Sequence, residues 1–235
     1  MVPYIFISIL VVIVAYLLGN LNVSILISKM LRRDIRKEGS GNPGTMNMFR
    51  TFGIKWGLVT LICDALRGTV AGLIGWFFIC FPTNLGQMYC FGADKFGLFI
   101  AGLFVVLGHI FPAIYKFKGG KGVAVSVGLG FVAQPLIALG AFVIALIFFL
   151  TVKIGSLTSF IAIGIPLIFS GVVAIVEGRI AEGVLAIVIY AIVLIAHHAN
   201  FVRLFTGKEK KIELFKKKKA ESQVEQPTDE NTANN

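Results

Sequence analysis

The sequence predicts an all-α membrane protein of about seven transmembrane helices, on three observations. Of 235 residues, 57% are hydrophobic and only 14% charged, with a mean hydropathy of +0.86, too apolar for a water-soluble domain. Several apolar runs approach or exceed the ~20 residues that cross ~30 Å of hydrocarbon. Basic residues gather in alternate connections between those runs, the pattern that sets orientation in a bilayer. The runs fill 1–205 as one transmembrane helical domain and leave 206–235 as a tail.

Taken in order, the spans fall at roughly 3–28, 56–80, 96–115, 122–134, 136–152, 157–176 and 181–198. The first opens at Met1-Val2-Pro3 with no basic leader and no small-residue cleavage site, and is read as a retained span. The fourth and fifth are divided at Gln134-Pro135. As a single helix, 122–152 would be about 46 Å long at ~1.5 Å per residue, and a proline beside a polar residue favours a hairpin. Lys29, Arg32, Arg33, Arg36, Lys37, Arg50 and Lys55 follow span one; Lys116, Lys118 and Lys121 follow span three; Lys153 follows span five. The opposite connections carry only Lys95 and Arg179 nearby. The positive-inside rule therefore places the N-terminus outside and the C-terminus in the cytoplasm.

The net charge of +10 is accounted for by this topology and by attraction to anionic headgroups, which makes membrane lipids the partner and nucleic acid none. The tail runs from lysine-rich (Lys216–Lys219) to polar and acidic, a composition that predicts disorder. Cys63, Cys80 and Cys90 lack metal-ligand spacing; Cys80 and Cys90 are read as free thiols, with a bridge across the outer loop as the alternative.

The unusual polar residues cluster on the inner face. Glu38-Gly39-Ser40-Gly41-Asn42-Pro43-Gly44-Thr45-Met46-Asn47-Met48-Phe49-Arg50 places three glycines, small polar side chains and an arginine directly after the first span. Such a segment can turn several N–H groups toward one anion. Lys116-Phe117-Lys118-Gly119-Gly120-Lys121-Gly122 opens span four, where a glycine-rich turn and a helix N-terminus favour phosphate. It lacks the spacing of a Walker loop, and a basic turn marking the inner face is the plainer alternative. His197, Asn200 and Arg203 recur every three residues at the end of span seven, so one helical face can carry all three. They suit a phosphorylated or carbonyl-bearing ligand, or an interfacial anchor. Ser156 opens span six, as a helix cap, a site residue or both. Asp64 and Arg67, three apart inside span two, read as a supporting ion pair, and His109 as a packed histidine.

Together these segments closely resemble the bacterial acyl-phosphate:glycerol-3-phosphate acyltransferase family, an integral membrane family of seven spans. The likeness rests on the Gly39-to-Arg50 motif, Gly108-His109-Ile110-Phe111-Pro112, Lys116-to-Ala124 and His197-His198-Ala199-Asn200 through Arg203-Leu204. The resemblance implies transfer of a fatty acyl group from acyl phosphate to glycerol 3-phosphate at the bacterial cell membrane, in phospholipid biosynthesis. The products are 1-acyl-glycerol 3-phosphate (lysophosphatidic acid) and phosphate. Two departures stand out: Thr45-Met46 replaces the usual Ala-Thr before Asn47, and Ala196 stands where the family has arginine.

That chemistry fits the residues. Two phosphorylated substrates need two anion sites, and Ser40, Gly41, Asn42, Gly44, Asn47, Arg50, Lys118, Gly119, Gly120 and Lys121 supply the donors. Ser156, His197 and Asn200 are the catalytic candidates, orienting glycerol 3-phosphate or the acyl carbonyl. The base is His197 or a substrate phosphate oxygen. With no acidic or histidine ligand set at the inner face, no metal or other cofactor is expected. The competing class is a membrane transporter for a phosphorylated organic anion, against which stand the one-sided donors and the lack of an internal repeat.

Overall fold

The computed structural model describes residues 2–80 and 95–209, and every regular element among them is helical. In chain order these are α1 (Val2–Asn20), α2 (Val23–Met30), α3 (Thr45–Phe52), α4 (Ile54–Gly75), α5 (Phe96–Ile110), α6 (Val123–Ala133), α7 (Pro135–Val152), α8 (Gly155–Val176), α9 (Ile180–Ala196) and α10 (His198–Phe205). A π-helical turn, Trp76–Cys80, extends α4. Cys63 is a free thiol and Cys80 is buried, whereas Cys90 and the tail from 210 lie outside the described residues.

Among the described residues, five stretches are long and apolar enough to cross a bilayer: Ile5–Met30, Ile54–Cys80, Phe96–Tyr115, Pro135–Val152 and Gly155–Val176. A sixth exists only if α9 and α10, bent by 59°, count as one. The segment 122–134, expected as the fourth span, is short. Helix α6 has 11 residues, about 16 Å of length against ~30 Å of hydrocarbon. It is apolar because protein surrounds it, with every residue from Ala124 to Gly130 buried. The break itself falls at Gln134-Pro135, where proline takes the first position of α7 and its missing N–H leaves no bond unmade. A carbonyl end buried this deep needs a partner. Lys95 provides it, its Nζ donating to Ala133 O at 2.6 Å. The buried Glu182 carboxylate in turn accepts from the Lys95 N–H (2.7 Å) and from Arg179 Nε (3.2 Å).

Helix α5 is the centre of the bundle, with Leu98, Phe99, Val105 and Val106 fully buried. Its neighbours approach closely through glycine. A Cβ on Gly108 would stand 2.2 Å from Tyr16 O of α1, and one on Gly97 would stand 2.3 Å from Gly75 O of α4. Helices α4 and α6 meet at Gly68 and Gly128, where an added Cβ would lie 2.0 Å from Val125 O and 1.9 Å from Ala65 O. Small residues at such crossings let dispersion do what hydrophobic burial cannot do in lipid. Helix α7 instead turns Leu136, Leu139, Ile144, Ile147 and Leu150 outward.

The first span is interrupted to build the site. Asn22 caps α2 by accepting from Ile25 N (3.1 Å), and its Nδ2 donates to Pro43 O (3.2 Å), tying the bundle to the glycine-rich segment.

Gly128→Ile should separate α4 from α6, because the obstacle is a backbone carbonyl that cannot move aside. Overpacking of this kind costs at least ~1–3 kcal/mol. Gly140→Ala, on the outward face of α7 with nothing within 4 Å, should be neutral or stabilising. Thermal aggregation midpoints in detergent compare the two, and equal midpoints would refute the packing argument.

Candidate active site

The segment 38–44 is held by Asn47. Gly39 (φ +58°) and Gly41 (φ +71°) adopt left-handed backbone that other residues resist. The buried Asn47 amide then fastens the turn from inside: Nδ2 donates to Ile35 O (3.2 Å) and Glu38 O (2.9 Å), and Oδ1 accepts from Ser40 N (2.9 Å). Asn47, expected to bind phosphate, thus has both amide hydrogens engaged in shaping the loop. The turn delivers Gly44, Thr45 and Met46 at the start of α3, and Arg50 further along it, to the wall of a cleft. Thr45 Oγ1 is buried there without a hydrogen-bond partner.

The glycine-rich turn also differs from expectation. The Lys118, Gly119 and Gly120 N–H groups donate to Tyr115 O, Ile110 O and His109 O at 3.2, 3.1 and 3.0 Å, so they form no phosphate cradle. The two glycines serve close approach: a Cβ on Gly119 would lie 2.1 Å from His109 O, and on Gly120 2.2 Å from His109 Nε2. Free donors begin one residue later, at the start of α6, where Lys121, Gly122, Val123 and Ala124 line the cleft. Lys118 stays exposed at the rim.

At the third segment the single face predicted for His197, Asn200 and Arg203 is broken, because His197 is the 59° bend between α9 and α10. Its Nδ1 lies 2.8 Å from Val193 O. A carbonyl only accepts, so Nδ1 carries the proton and Nε2 is left with a lone pair. The ring packs edge-on against Phe160, which stacks on Phe201. Asn200 Oδ1 accepts from Lys121 Nζ, joining the second segment to the third.

The centre of this arrangement is a residue the sequence did not single out. Glu209 accepts from Ser156 Oγ (3.2 Å) and Asn200 Nδ2 (2.7 Å) through Oε1, and from Arg203 Nε (2.7 Å) through Oε2. Its one visible signal was being a lone acid among Lys208, Lys210 and Lys211. Ile154 takes the cap position of α8, so Ser156 is free to face Glu209 instead of capping the helix. Arg203 grips Glu209 and is more than a headgroup anchor.

Two chambers share Asn42, Met46, Arg50 and Lys121. The inner, of about 120 Å³, receives the N-termini of α3, α6 and α8 together with Ser156, His197, Asp64 and His109. The outer, of about 450 Å³, is lined by Arg36, Ser40, Gly41, Lys118, Gly119 and Arg203 among others. Three positive helix ends aimed at one small cavity favour an anion there. Gly120 lines neither chamber; it packs beneath the loop. Burial, then the neighbouring Arg203 and, to a lesser degree, Arg50, push the Lys121 ammonium down to about 8, against the pull of Glu209. Burial also lowers the Arg50 guanidinium. For Glu209, burial raises the carboxyl but hydrogen bonds from Arg203, Asn200 and Ser156 outweigh it, and the net shift is downward.

The fold and this cleft define an integral membrane protein whose cationic, donor-rich cavity suits phosphorylated ligands. A family model described as glycerol-3-phosphate acyltransferase matches residues 9–207. The chain is 36% identical to the glycerol-3-phosphate acyltransferase of Finegoldia magna, over 85% of this chain and 93% of the relative. It is also 36% identical to that of Aquifex aeolicus, over 86% and 97%. Among solved structures it is similar to the glycerol 3-phosphate form of PlsY, an integral membrane glycerol 3-phosphate acyltransferase. There the TM-score is 0.73 at 35% identity, covering 88% of this chain and 96% of that one. The lysophosphatidic acid form of PlsY gives a TM-score of 0.70. The chain belongs to the glycerol-3-phosphate acyltransferase family.

Lys121 near 8 sets a pH dependence. Its protonated form, present below that value, carries the charge that an anion in the cavity would pair with; the neutral form above it does not. kcat/KM for a phosphorylated substrate should therefore fall as pH rises through about 8, and Lys121→Arg should move that limb to much higher pH. A pH–rate profile flat across about pH 7 to 9.5 would count against Lys121 as the anion's partner.

Proposed function

We propose that the protein transfers a fatty acyl group from acyl phosphate to glycerol 3-phosphate, at the cytoplasmic face of a bacterial cell membrane, releasing 1-acyl-glycerol 3-phosphate and phosphate. The observation that carries this reading is the convergence of three helix N-termini, Arg50 and Lys121 on a cavity whose wall also holds Ser156 and His197, with Asn200 hydrogen-bonded to Lys121. A phosphate group fits the charged side of such a cavity and a carbonyl the neutral side. The family's name gives glycerol 3-phosphate as acceptor, and the solved relative in its glycerol 3-phosphate and lysophosphatidic acid forms bears a substrate and a product of this transfer.

Acyl phosphate is an activated mixed anhydride, so no serine nucleophile is needed. The glycerol hydroxyl oxygen attacks the carbonyl carbon, and its proton passes to His197 Nε2, the ring nitrogen that the Val193 bond leaves as acceptor. The N–H groups opening α8 stabilise the tetrahedral oxyanion, a contribution of ~3 kcal/mol per well-placed donor, while the Ser156 hydroxyl stays donated to Glu209. The carbon–oxygen bond to phosphate then breaks, and the phosphate dianion leaves against Lys121 and Arg50. Glu209 keeps Asn200, Ser156 and Arg203 in register, with no role as proton acceptor while it holds three hydrogen bonds.

Purified protein given a long-chain acyl phosphate and glycerol 3-phosphate should release lysophosphatidic acid and inorganic phosphate in equal amounts. Uptake of glycerol 3-phosphate into proteoliposomes without acylation would favour the transporter. Lys121→Ala should chiefly raise KM, whereas Asn200→Ala should lower kcat by about a hundredfold with little change in KM. Single cysteines at the exposed positions 40 and 118 should be labelled only from the cytoplasmic side; labelling from opposite sides would rule out a shared site.

A further inference from the structure

We infer that His109 is a substrate-binding residue, a neutral hydrogen-bond donor aimed into the inner chamber and set in that role by Arg67. The sequence places His109 in a membrane-spanning helix as a packed residue, yet it lines the same chamber as Lys121 and Gly44. Its environment fixes where its proton sits. Arg67 places an N–H group 3.3 Å from His109 Nδ1. A guanidinium has donors and no acceptor, so Nδ1 must be the ring nitrogen with the lone pair, and the proton is left on Nε2. Nε2 lies beside Gly120, where a Cβ would come within 2.2 Å, so the ring keeps its place only because that residue is glycine.

Arg67 is not free to turn away. One terminal nitrogen serves both Asp64 and His109. The other donates to Leu18 O (2.9 Å) and Gly19 O (3.1 Å) at the end of α1. Asp64 is thereby paired, so its carboxylate does not oppose an anion in the chamber it lines. The two histidines of this chamber consequently present opposite faces: His197 an acceptor nitrogen, His109 a donor.

The ligand of that donor follows from the chamber. Leu61, Val123 and Ala124 give the inner cavity an apolar side, while the outer one is bordered by Arg36, Lys118 and Arg203. The head of an acylated substrate suits the inner cavity, and a water-soluble polyol phosphate the outer. His109 Nε2–H therefore bonds an oxygen of the acyl donor's phosphate. This assignment rests on the acyl-transfer reading above.

The test uses the fact that a glutamine amide nitrogen can occupy the place of Nε2, and an asparagine amide nitrogen that of Nδ1. His109→Gln should keep KM for acyl phosphate within about threefold of wild type. His109→Asn should raise it about tenfold or more, the loss of one hydrogen bond to a charged group, with KM for glycerol 3-phosphate unchanged in both. Equal KM values for the two variants at matched thermal midpoints, or a rise confined to glycerol 3-phosphate, would overturn the assignment. A second measurement is independent of turnover. With only three histidines in the chain, nitrogen-15 histidine spectra can be assigned by substitution. His109 should appear as the Nε2–H tautomer, lose that preference in Arg67→Met, and shift when an acyl phosphonate, the non-transferable donor analogue, is added. An Nδ1–H tautomer in the wild type, or no shift with the phosphonate, refutes the inference even in a protein that acylates. Wild type that binds the phosphonate through His109 yet transfers nothing would instead overturn the reaction.

Discussion

The site depends on one carboxylate. Arg50, Lys121 and Arg203 are cations sharing a confined space with three helix N-termini, and unscreened repulsion among them would drive the elements apart. Glu209 resolves this by accepting from Ser156, Asn200 and Arg203 at once, which pins α8, α10 and the chain beyond α10 to one point. Asn200 passes the constraint on to Lys121 and so to α6. The positive field stays high because Glu209 is a single charge among several, yet its geometry no longer depends on the ligand being present. Side-chain entropy lost by these long residues is lost on folding and not again at binding.

Much of this was legible in the sequence, and what was not has physical causes. Hydropathy located the crossing helices and Pro135 located the hairpin. Hydropathy responds alike to lipid and to a protein interior, so it could not tell that 123–133 is sheathed by α4, α5 and α8. The three donor segments were found because glycine, asparagine and arginine are conspicuous amid apolar runs. Their detailed parts were hidden by long-range pairing. Nothing local to Gly119 and Gly120 announces that their N–H groups meet Ile110 O and His109 O, and nothing at Asn47 says that its amide closes a turn begun at Ile35. Glu209 was invisible for the opposite reason, being one charge inside a lysine-rich run whose plain meaning is attraction to headgroups.

The paired tautomers of His109 and His197 show how backbone and side-chain partners write chemistry into identical residues. Val193 O, an acceptor, makes one imidazole a base; Arg67, a donor, makes the other an acid-side contact. Asp64, alone a liability in an anion site, becomes acceptable because it orients the arginine that orients the histidine.

The glycine crossings also restrict movement. Where Gly19 meets Gly108, Gly68 meets Val125 O and Gly75 meets Gly97, backbone lies on backbone with no side chain between that could change rotamer to let one helix roll over the other. Helices α1, α4, α5 and α6 therefore behave as a rigid frame, and sliding within it would need the backbones to separate. Room for a ligand has to be made by side chains and by elements that lack such crossings, among them α3 and α10, each of which carries residues of the site, while the frame beneath stays fixed.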